Sequence, residues 1–259
     1  MKLEGRSALV TGSSRNIGKA IALALAQEGA NVVVNHRDSA QDAEAVASTI
    51  QEMGVRSVVI QADVTQRDQV QAMAKKILAE FGTIDILVNN VGTSTRVPFL
   101  EMTDEDWHQL IAINLHSVFY CTQTFIKGMV DRRWGRIINI TGHASLRGSP
   151  NSAHVCAGKG GAVGFTRSIA TEFAPYGITC NTVAPGGVED TDGPRRPYYR
   201  DFTDQGVNQE WGTQWRNRVP MGRQATASEF ASLCAYLASD DAAFLTGQMY
   251  LVNGGMMYL

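Results

Sequence analysis

Short apolar segments alternate with longer segments of helical periodicity along the whole chain. The short segments are rich in β-branched residues and apolar on both faces, which is typical of buried parallel strands. The strands that they predict lie at residues 7–11, 32–35, 57–61, 84–89, 136–140, 179–183 and 248–252. The helices predicted between them include residues 18–28, 40–53, 68–81, 104–130 and 152–173. This alternation predicts a doubly wound α/β fold, in which a seven-stranded parallel sheet carries helices on both faces.

One segment departs from this alternation. Between about residues 187 and 219, Gly, Pro, Arg, Tyr and Trp replace the apolar periodicity. A long irregular segment inside a compact α/β domain is typical of a lid or a binding loop. We therefore expect residues 1–259 to form a single domain with a substrate lid at about 187–219. Such a lid would cover the carboxyl ends of the strands, where open α/β sheets bind their ligands.

Composition and charge narrow the choice of partner and compartment. The formal net charge is -2, from 23 basic and 25 acidic side chains, so no basic excess favours a nucleic acid or a membrane surface. A small-molecule substrate is expected instead. The N-terminal apolar run is too short for a signal peptide or a spanning helix, which predicts a cytoplasmic protein. The four cysteines have neither CxxC nor metal-ligand spacing, so we expect reduced thiols and no metal site.

A glycine-bearing turn follows the first predicted strand. Its sequence is TGSSRNIG, in which Gly12 allows a tight turn and Gly18 allows a helix to pack closely on the strand. The helix N-terminal amides then face the turn, an arrangement that binds a pyrophosphate. Asn16 stands at the middle position, where glycine is usual, and asparagine tolerates a left-handed backbone but adds bulk. Strand, turn and helix in this order predict a dinucleotide site.

The residues after the second predicted strand favour NADP over NAD. An NAD-selective protein usually has a carboxylate there that binds the ribose hydroxyls, whereas this sequence has His36 and Arg37. With Arg15 from the glycine-bearing turn, Arg37 provides two guanidinium groups that can flank a 2′-phosphate. The alternative is that both arginines are solvated surface residues.

Several motifs stand in the order and approximate spacing of the short-chain dehydrogenase/reductase family, which the chain resembles over nearly its whole length. They are TGSSRNIG, Asp63, the NNVG sequence that begins at Asn89, Asn114, Lys159, and Pro185 with Gly186. The resemblance implies a Rossmann fold, an NAD(P) cofactor and a homo-oligomer. Dimers or tetramers of this kind commonly form through helices that correspond to 104–130 and 152–173.

The resemblance also implies where the cofactor binds. Asp63 and Val64 are expected near the adenine. Asn89, Asn90 and Gly92 are expected near the adenosine ribose. The full set of implied cofactor-binding residues is Gly12, Ser14, Arg15, Asn16, Ile17, Gly18, His36, Arg37, Asp63, Val64, Asn90, Gly92, Lys159, Pro185, Gly186 and Val188.

The catalytic residues that the resemblance implies are incomplete. In the family, a serine orients the substrate oxygen and a tyrosine transfers the proton. A lysine lowers the pKa of the tyrosine and holds the nicotinamide ribose, and an asparagine supports a water relay. Lys159 and Asn114 match the last two residues. The serine position falls on Gly142 and the tyrosine position on Val155, and no tyrosine occurs between residues 120 and 176.

Two histidines stand directly beside the replaced positions. An imidazole titrates near neutrality, so His143 or His154 could accept an alcohol's proton. The alternative for both is polar packing or substrate contact. Ser152 lies seven positions before Lys159, roughly on the same helix face, and is a candidate substrate contact. The catalytic candidates are therefore Asn114, Lys159, His143 and His154.

The lid sequence indicates a substrate class. The stretch NTVAPGGVEDTDGPRRPYY resembles the corresponding region of dehydrogenases that act on carboxylated cis-dihydrodiols of the benzoate or cumate type. Arg195 and Arg196 can clamp a carboxylate, unless the loop is simply solvated. The expected function is hydride transfer between the nicotinamide and such a cyclic alcohol. Two alternatives stay open: a catalytically silent subunit that forms a hetero-oligomer with an active paralogue, and a non-redox lyase, hydratase or isomerase.

Overall fold

A seven-stranded parallel sheet forms the centre of the protein. The structure is a computed structural model that describes residues 1–189 and 219–258, apart from the side chain of Ala144. The strands are β1 Ser7–Val10, β2 Asn31–His36, β3 Ser57–Gln61, β4 Ile86–Asn89, β5 Gly135–Ile140, β6 Ile178–Pro185 and β7 Met249–Val252. Their order is β3-β2-β1-β4-β5-β6-β7, and all neighbouring pairs are parallel. The predicted doubly wound Rossmann fold is confirmed.

Helices connect the strands and cover both faces of the sheet. They are α1 Asn16–Gln27, α2 Ala40–Glu52, α3 Arg67–Phe81, α4 Asp104–Ile111, α5 Ser117–Arg132, α6 Ala144–Arg147, α7 Ala153–Phe173 and α8 Ala227–Ala238. The helix predicted at 104–130 is a continuous helical stretch, but it contains a π-helical turn, Ala112–His116, between α4 and α5 that the sequence did not predict. The other predicted elements agree within about two residues at each end.

Two helices, α6 and α8, were not predicted, and α8 begins with a recognisable sequence motif. α8 begins with a capping box in which Thr226 accepts a hydrogen bond from the Glu229 amide and the Glu229 side chain accepts one from the Thr226 amide. The sequence TASE at these positions is the usual form of that motif. The short helix α6 has no comparable signal.

Alternate residues of each central strand face opposite sides of the sheet. On one side, Ala8 and Val10 of β1 pack with buried residues of α1, α2 and α8. On the other side, Leu9 packs with buried residues of α3, α5 and α7. Strands with both faces covered are apolar throughout, as the sequence pattern indicated. The two layers of helices hold the carboxyl ends of the strands along one edge.

The cysteines are free thiols, as predicted. Cys121, Cys180 and Cys234 are buried and Cys156 is partly exposed. Burial raises the pKa of the Cys121 thiol to about 12, which is typical of an inert core cysteine. Among the described residues, no three His, Cys, Asp or Glu side chains cluster as possible metal ligands. None of the described helices is both long enough and apolar enough to cross a lipid bilayer.

The predicted lid lies mostly outside the described residues, which exclude 190–218. The start of the lid pairs with the segment that follows it. The Glu189 amide donates to the Ala225 carbonyl at 2.9 Å, and the Ala225 amide donates to the Gly187 carbonyl at 3.0 Å. Val188 and Ala225 form an isolated parallel bridge. The backbone that leads into residues 190–218 is therefore held just beyond the carboxyl end of β6.

Replacement of Gly18 tests the close packing of α1 on the sheet. A Cβ atom at Gly18 would lie 2.4 Å from the carbonyl oxygen of Gly12 and 2.6 Å from the side-chain nitrogen of Asn90. We expect Gly18→Ala to lower the free energy of unfolding by about 1–3 kcal/mol, because backbone atoms must shift to admit the methyl group. Urea denaturation measures this change.

The matched control is Gly164→Ala in α7. A Cβ atom there would meet no atom within 4 Å, and alanine is favoured over glycine inside a helix. This substitution should raise the free energy of unfolding by about 0.5–1 kcal/mol. Equal effects at the two positions would contradict the close approach at Gly18.

Candidate active site

The candidate site lies at the centre of the sheet, where the order of winding reverses between β1 and β4. Doubly wound sheets bind their ligands in a crevice at the carboxyl ends of such strands. The turn after β1 begins with Gly12, whose φ is 62°, and leads to Asn16, whose φ is 48°. Asn16 therefore adopts the left-handed backbone that asparagine tolerates.

Two asparagines hold this turn in place. Oδ1 of Asn35 in β2 accepts a hydrogen bond from the Gly12 amide at 3.1 Å, and its Nδ2 donates to two carbonyl groups at the end of β3, both at 3.2 Å. From the end of β4, Nδ2 of Asn90 donates to the carbonyls of Thr11 at 2.9 Å and Gly12 at 3.2 Å. The sequence motifs pointed to Asn90 but not to Asn35, whose only indication in the sequence is an amide side chain inside an apolar strand.

The residues around this turn fit a dinucleotide. Arg15 is the N-cap of α1 and makes no side-chain cap, and the first turn of α1 has no acidic residue. α4 and α8 instead begin with capping boxes that satisfy their first amides. The amides at the start of α1 are thus suited to an anionic pyrophosphate. Ser14 is buried in the turn, and Ile17 packs against the core beside it.

Basic side chains gather after β2. A terminal guanidinium nitrogen of Arg15 donates a hydrogen bond to Oγ of Ser39. Nε of Arg37 donates to a carboxylate oxygen of Asp38 at 2.7 Å, and both of these side chains are about half exposed. His36, the last residue of β2, is buried. The structure therefore brings Arg15 to the end of β2, while Arg37 is paired with an acidic neighbour.

The predicted adenine contacts follow β3. Asp63 accepts hydrogen bonds at Oδ1 from the Thr65 amide at 2.9 Å and from the Thr65 hydroxyl at 2.7 Å. Its carboxylate thus shapes the turn that leads to α3. Val64 is buried beside it.

Asn89 lies elsewhere than predicted. It is 3% exposed, and its Nδ2 donates to Oδ1 of Asn139 in β5 at 2.8 Å and to the Thr122 hydroxyl at 3.2 Å. As the last residue of β4 it faces the core side of the sheet, so the expected ribose contact is wrong. Asn90 and Gly92, which follow the strand, lie at the crevice.

Asn114 lies on the π-helical turn between α4 and α5. Its Nδ2 donates to a carbonyl group one turn earlier, and its Oδ1 accepts from the Thr93 amide, both at 3.1 Å. Glycines let α7 approach this turn: a Cβ atom at Gly158 would lie 3.0 Å from Cβ of Asn114, and one at Gly161 would lie 2.9 Å from Leu115. Sequence analysis missed both glycines, although π-turns and close helix contacts often mark functional sites.

Lys159 reaches from α7 to the end of β5. Its Nζ donates to the Thr141 carbonyl at 3.0 Å. A Cβ atom at Gly142 would lie 3.5 Å from Nζ, and one at Gly92 would lie 3.9 Å from Nζ and 3.2 Å from Oδ1 of Asn114. Removal of the amine from water lowers the pKa of Lys159 to about 8, because burial disfavours the ammonium form. The structure thus brings Lys159, Gly142 and Asn114 together.

The two candidate histidines occupy different environments. Nδ1 of His143 lies 3.3 Å from the carbonyl oxygen of Pro185, so Nδ1 carries the proton of the neutral ring. His154 is fully buried, and its Nε2 lies 2.9 Å from Oγ1 of Thr95. Burial lowers the pKa of both imidazoles.

Of the remaining predicted site residues, Ser152 and Gly186 lie in the described part of the chain. Ser152 is the N-cap of α7, and its hydroxyl donates to the Pro150 carbonyl at 3.3 Å. The Gly186 amide donates to a carbonyl group of β7, so this residue extends the sheet beyond β6. Arg195 and Arg196 lie outside the described residues.

Comparisons with known proteins agree with this geometry. The family model described as enoyl-(acyl carrier protein) reductase matches residues 12–257. The 3-oxoacyl-(acyl-carrier-protein) reductase FabG of Staphylococcus aureus strain N315 is 41% identical over 251 residues, which cover 97% of this chain and 98% of the relative. The enzyme of the same name from Vibrio cholerae is 40% identical over 256 residues, 99% of each chain.

A solved structure supports the same assignment. A crystal structure from Sinorhizobium meliloti 1021, assigned to the short-chain alcohol dehydrogenases, superposes with a TM-score of 0.89 at 31% identity and covers 98% of this chain and 97% of its own. These similarities extend over nearly the whole chain. The chain therefore belongs to the short-chain dehydrogenase/reductase family of nicotinamide-dependent oxidoreductases.

Proposed function

We propose that this protein transfers a hydride between NADP(H) and the hydroxyl-bearing carbon of a carboxylated cyclic cis-dihydrodiol. The observation that carries the redox part is the position of the Lys159 amine, which lies beside Gly142 and Asn114 at the carboxyl ends of the central strands. The glycine-bearing turn of the nucleotide site lies at the same edge of the sheet. A bound nicotinamide would exchange the hydride, and the protein would hold the substrate oxygen and its proton.

The substrate class rests on the lid sequence and on the replaced catalytic positions. Arg195 and Arg196 can hold a carboxylate through paired charge-assisted hydrogen bonds. Oxidation of a cyclohexadiene diol leads to an aromatic ring, which is a strongly downhill outcome. Such a reaction tolerates a proton acceptor weaker than the tyrosine that this chain lacks.

A second substrate class is favoured by the relatives. The Staphylococcus aureus and Vibrio cholerae proteins are 3-oxoacyl-(acyl-carrier-protein) reductases and match this chain from end to end. Reduction of a 3-oxoacyl thioester with NADPH is therefore the alternative function. This reduction would use the same site at the carboxyl edge of the sheet. It needs a group that donates a proton to the substrate oxygen, whereas diol oxidation needs one that accepts a proton.

The preference for NADP(H) rests on Arg15. Its guanidinium group contacts Ser39, just after β2, where a 2′-phosphate would lie in a doubly wound nucleotide site. The acidic residue closest in sequence to Ser39 is Asp38, and its carboxylate is paired with Arg37. A guanidinium and a hydroxyl at this point favour a phosphate over two ribose hydroxyls.

The first test follows reduced-nicotinamide absorbance with the pure protein and a set of substrates. We expect turnover of aromatic cis-dihydrodiol carboxylates with NADP. Turnover of 3-oxoacyl thioesters alone would favour the second class. Dinucleotide binding without turnover would favour a silent subunit, and a product detected by mass spectrometry without an absorbance change would indicate a lyase or an isomerase.

The carboxylate clamp predicts a specific effect on KM. Arg195→Gln combined with Arg196→Gln should raise KM for the carboxylated diol by about tenfold to hundredfold, because hydrogen bonds to charged groups contribute about 1.5–3 kcal/mol. The methyl ester of the same diol is the matched control, and its KM should not change. An equal rise in KM for both substrates would exclude the clamp.

Arg15→Ala should weaken NADPH binding more than NADH binding. We expect the Kd for NADPH to rise by about tenfold to hundredfold, since a charge-assisted contact to the 2′-phosphate is lost. The Kd for NADH should stay within about twofold. Fluorescence titration measures both constants, and Arg56→Ala, which removes an exposed arginine paired with Glu80, is the control. Equal losses for the two cofactors would refute the assignment.

His154 has a structural role in this proposal. Its ring joins α7 to Thr95 in the loop after β4, and the Val97 amide donates to the Asn151 carbonyl at 2.8 Å in the same junction. Nδ1 of the ring is buried without a hydrogen-bond partner among the described residues. A protonated ring at this place would be a buried charge, which is costly.

Acid should therefore destabilise the protein partly through His154. Burial lowers its pKa in the folded state below the ordinary 6.5, so the unfolded chain takes up a proton that the folded protein does not as the pH falls below about 6.5. The free energy of unfolding should decrease from about pH 7 to pH 5, by up to about 1.4 kcal/mol per pH unit for each such group. His154→Gln should reduce this slope.

Urea denaturation at a series of pH values measures the slope. His108→Gln, at an exposed position of α4, is the control and should leave the slope unchanged. His154→Gln should also keep its turnover. Loss of turnover with an unchanged slope would instead favour His154 as the proton acceptor.

A further inference from the structure

We infer that Nζ of Lys159 is itself the group that accepts the substrate's hydroxyl proton, without a tyrosine between them. The inference rests on the proposed redox function and names its base. In the oxidation, the substrate O–H bond breaks and an N–H bond forms on Lys159, while a C=O bond forms and the carbon loses a hydride that a bound oxidised nicotinamide would take up. The resulting ammonium then releases its proton to solvent, and reduction runs these steps in reverse.

Among the described residues, the hydroxyl-bearing side chains near Lys159 are not placed for this step. One helical turn earlier in α7 stands Val155, which is buried and apolar. The hydroxyl of Ser145 donates to the Gly142 carbonyl at 2.7 Å, and that of Ser152 donates to the Pro150 carbonyl. Neither serine is bonded to Lys159. Among the described residues, the amine of Lys159 and the imidazole of His143 are therefore the groups that can accept the proton.

The amine is held in a way that leaves room for a proton. In the described part of the chain, its one hydrogen bond goes to the Thr141 carbonyl. A neutral amine that donates one N–H there still has a lone pair that can accept a proton. Gly142 has no side chain that could cover the amine. A Cβ atom added there would lie 3.5 Å from Nζ of Lys159. The Lys159 residue is partly exposed, and its amine is the part that is withdrawn from water.

The charge around the amine favours the neutral form. No carboxylate among the described residues stabilises the ammonium, and burial lowers the pKa of Lys159 to about 8. A base is most efficient when its pKa lies near the working pH. From the turn after β5, His143 is the titratable group that faces the amine, and both burial and Lys159 lower the pKa of its ring. The elements on the other sides present Asn114, Thr141 and Gly92, which do not titrate.

His143 is the weaker candidate for the same step. Its Nδ1 proton is directed to the Pro185 carbonyl, which holds the ring. Its lowered pKa makes it a poorer base than an amine that titrates near 8. An activity controlled by His143 would change below neutral pH, whereas one controlled by Lys159 would change above it. The two assignments therefore predict different pH profiles.

The kinetic test compares Lys159→Arg with wild type. Arginine keeps the positive charge but does not deprotonate, so the rate of diol oxidation should fall by about 10²- to 10⁴-fold, and the inflection near pH 8 should disappear. The Kd for NADPH, measured by fluorescence titration, should change less than tenfold. Lys127→Arg is the matched control, because Lys127 is an exposed lysine paired with Asp131, and its profile should match wild type.

A second test measures the titration of the Lys159 amine without any turnover. The cofactor-free protein is treated briefly with acetic anhydride at a series of pH values, and acetylation of each lysine is quantified by mass spectrometry. Reaction at Lys159 should rise with a midpoint near pH 8, well below the value of about 10.4 for a lysine in a model peptide. A short lysine-containing peptide in the same reaction is the reference. Gly142→Ser, whose Cβ atom fits at ordinary contact distance, should keep the Lys159 midpoint below that of the reference peptide.

The outcomes separate the inference from the proposed function. Absence of turnover in the wild type would overturn the proposed function, and the inference with it. Turnover with Lys159 titrating as a lysine in a model peptide does would overturn the inference alone. An inflection that persists in Lys159→Arg but is lost in His143→Gln would transfer the step to His143.

Discussion

The close approach of α1 to the turn after β1 is the constraint on which the site depends. No side chain fits at Gly18, where an added Cβ atom would meet the Gly12 carbonyl oxygen, and Asn90 crosses from β4 to bind the same stretch of backbone. Asn35 holds the turn from the other side. Because these contacts are made by backbone atoms and buried amides, the sheet itself sets the direction of the first amides of α1. A nucleotide site built in this way needs little rearrangement on binding.

The acid–base part of the site, around Lys159, depends on a second close approach, that of α7 to the π-helical turn. Gly158 lets Asn114 lie against α7, and the next residue, Lys159, then extends to the Thr141 carbonyl at the end of β5. Packing thus withdraws the amine from water without giving it an acidic partner in the described residues. Such a group is costly in a folded protein unless its ionisation shifts, and shifted ionisation is what acid–base catalysis requires.

The relatives share this frame, and the frame alone does not decide the reaction. The family's fold is present here, and in our proposal Gly142 and Val155 stand where the resemblance places the family's serine and tyrosine. The two halves of the site therefore constrain function unequally. The nucleotide half follows the family closely, because it is made of backbone contacts that tolerate few residues. The acid–base half depends on single side chains, and there a few substitutions change what the same fold can do.

The sequence by itself determined the doubly wound α/β layers and the glycine-bearing turn after β1, because apolar periodicity and glycine placement are local properties. It did not show the π-helical turn inside the predicted helix 104–130, because that turn leaves the apolar pattern intact. It also did not show that Asn89 faces the core, which follows from its place as the last residue of β4. Only the tertiary structure decided which partners meet: Arg15 with Ser39, Lys159 with Thr141, and His154 with Thr95. These pairs lie far apart in sequence, and their contact depends on how helices pack against the sheet, which no local pattern encodes.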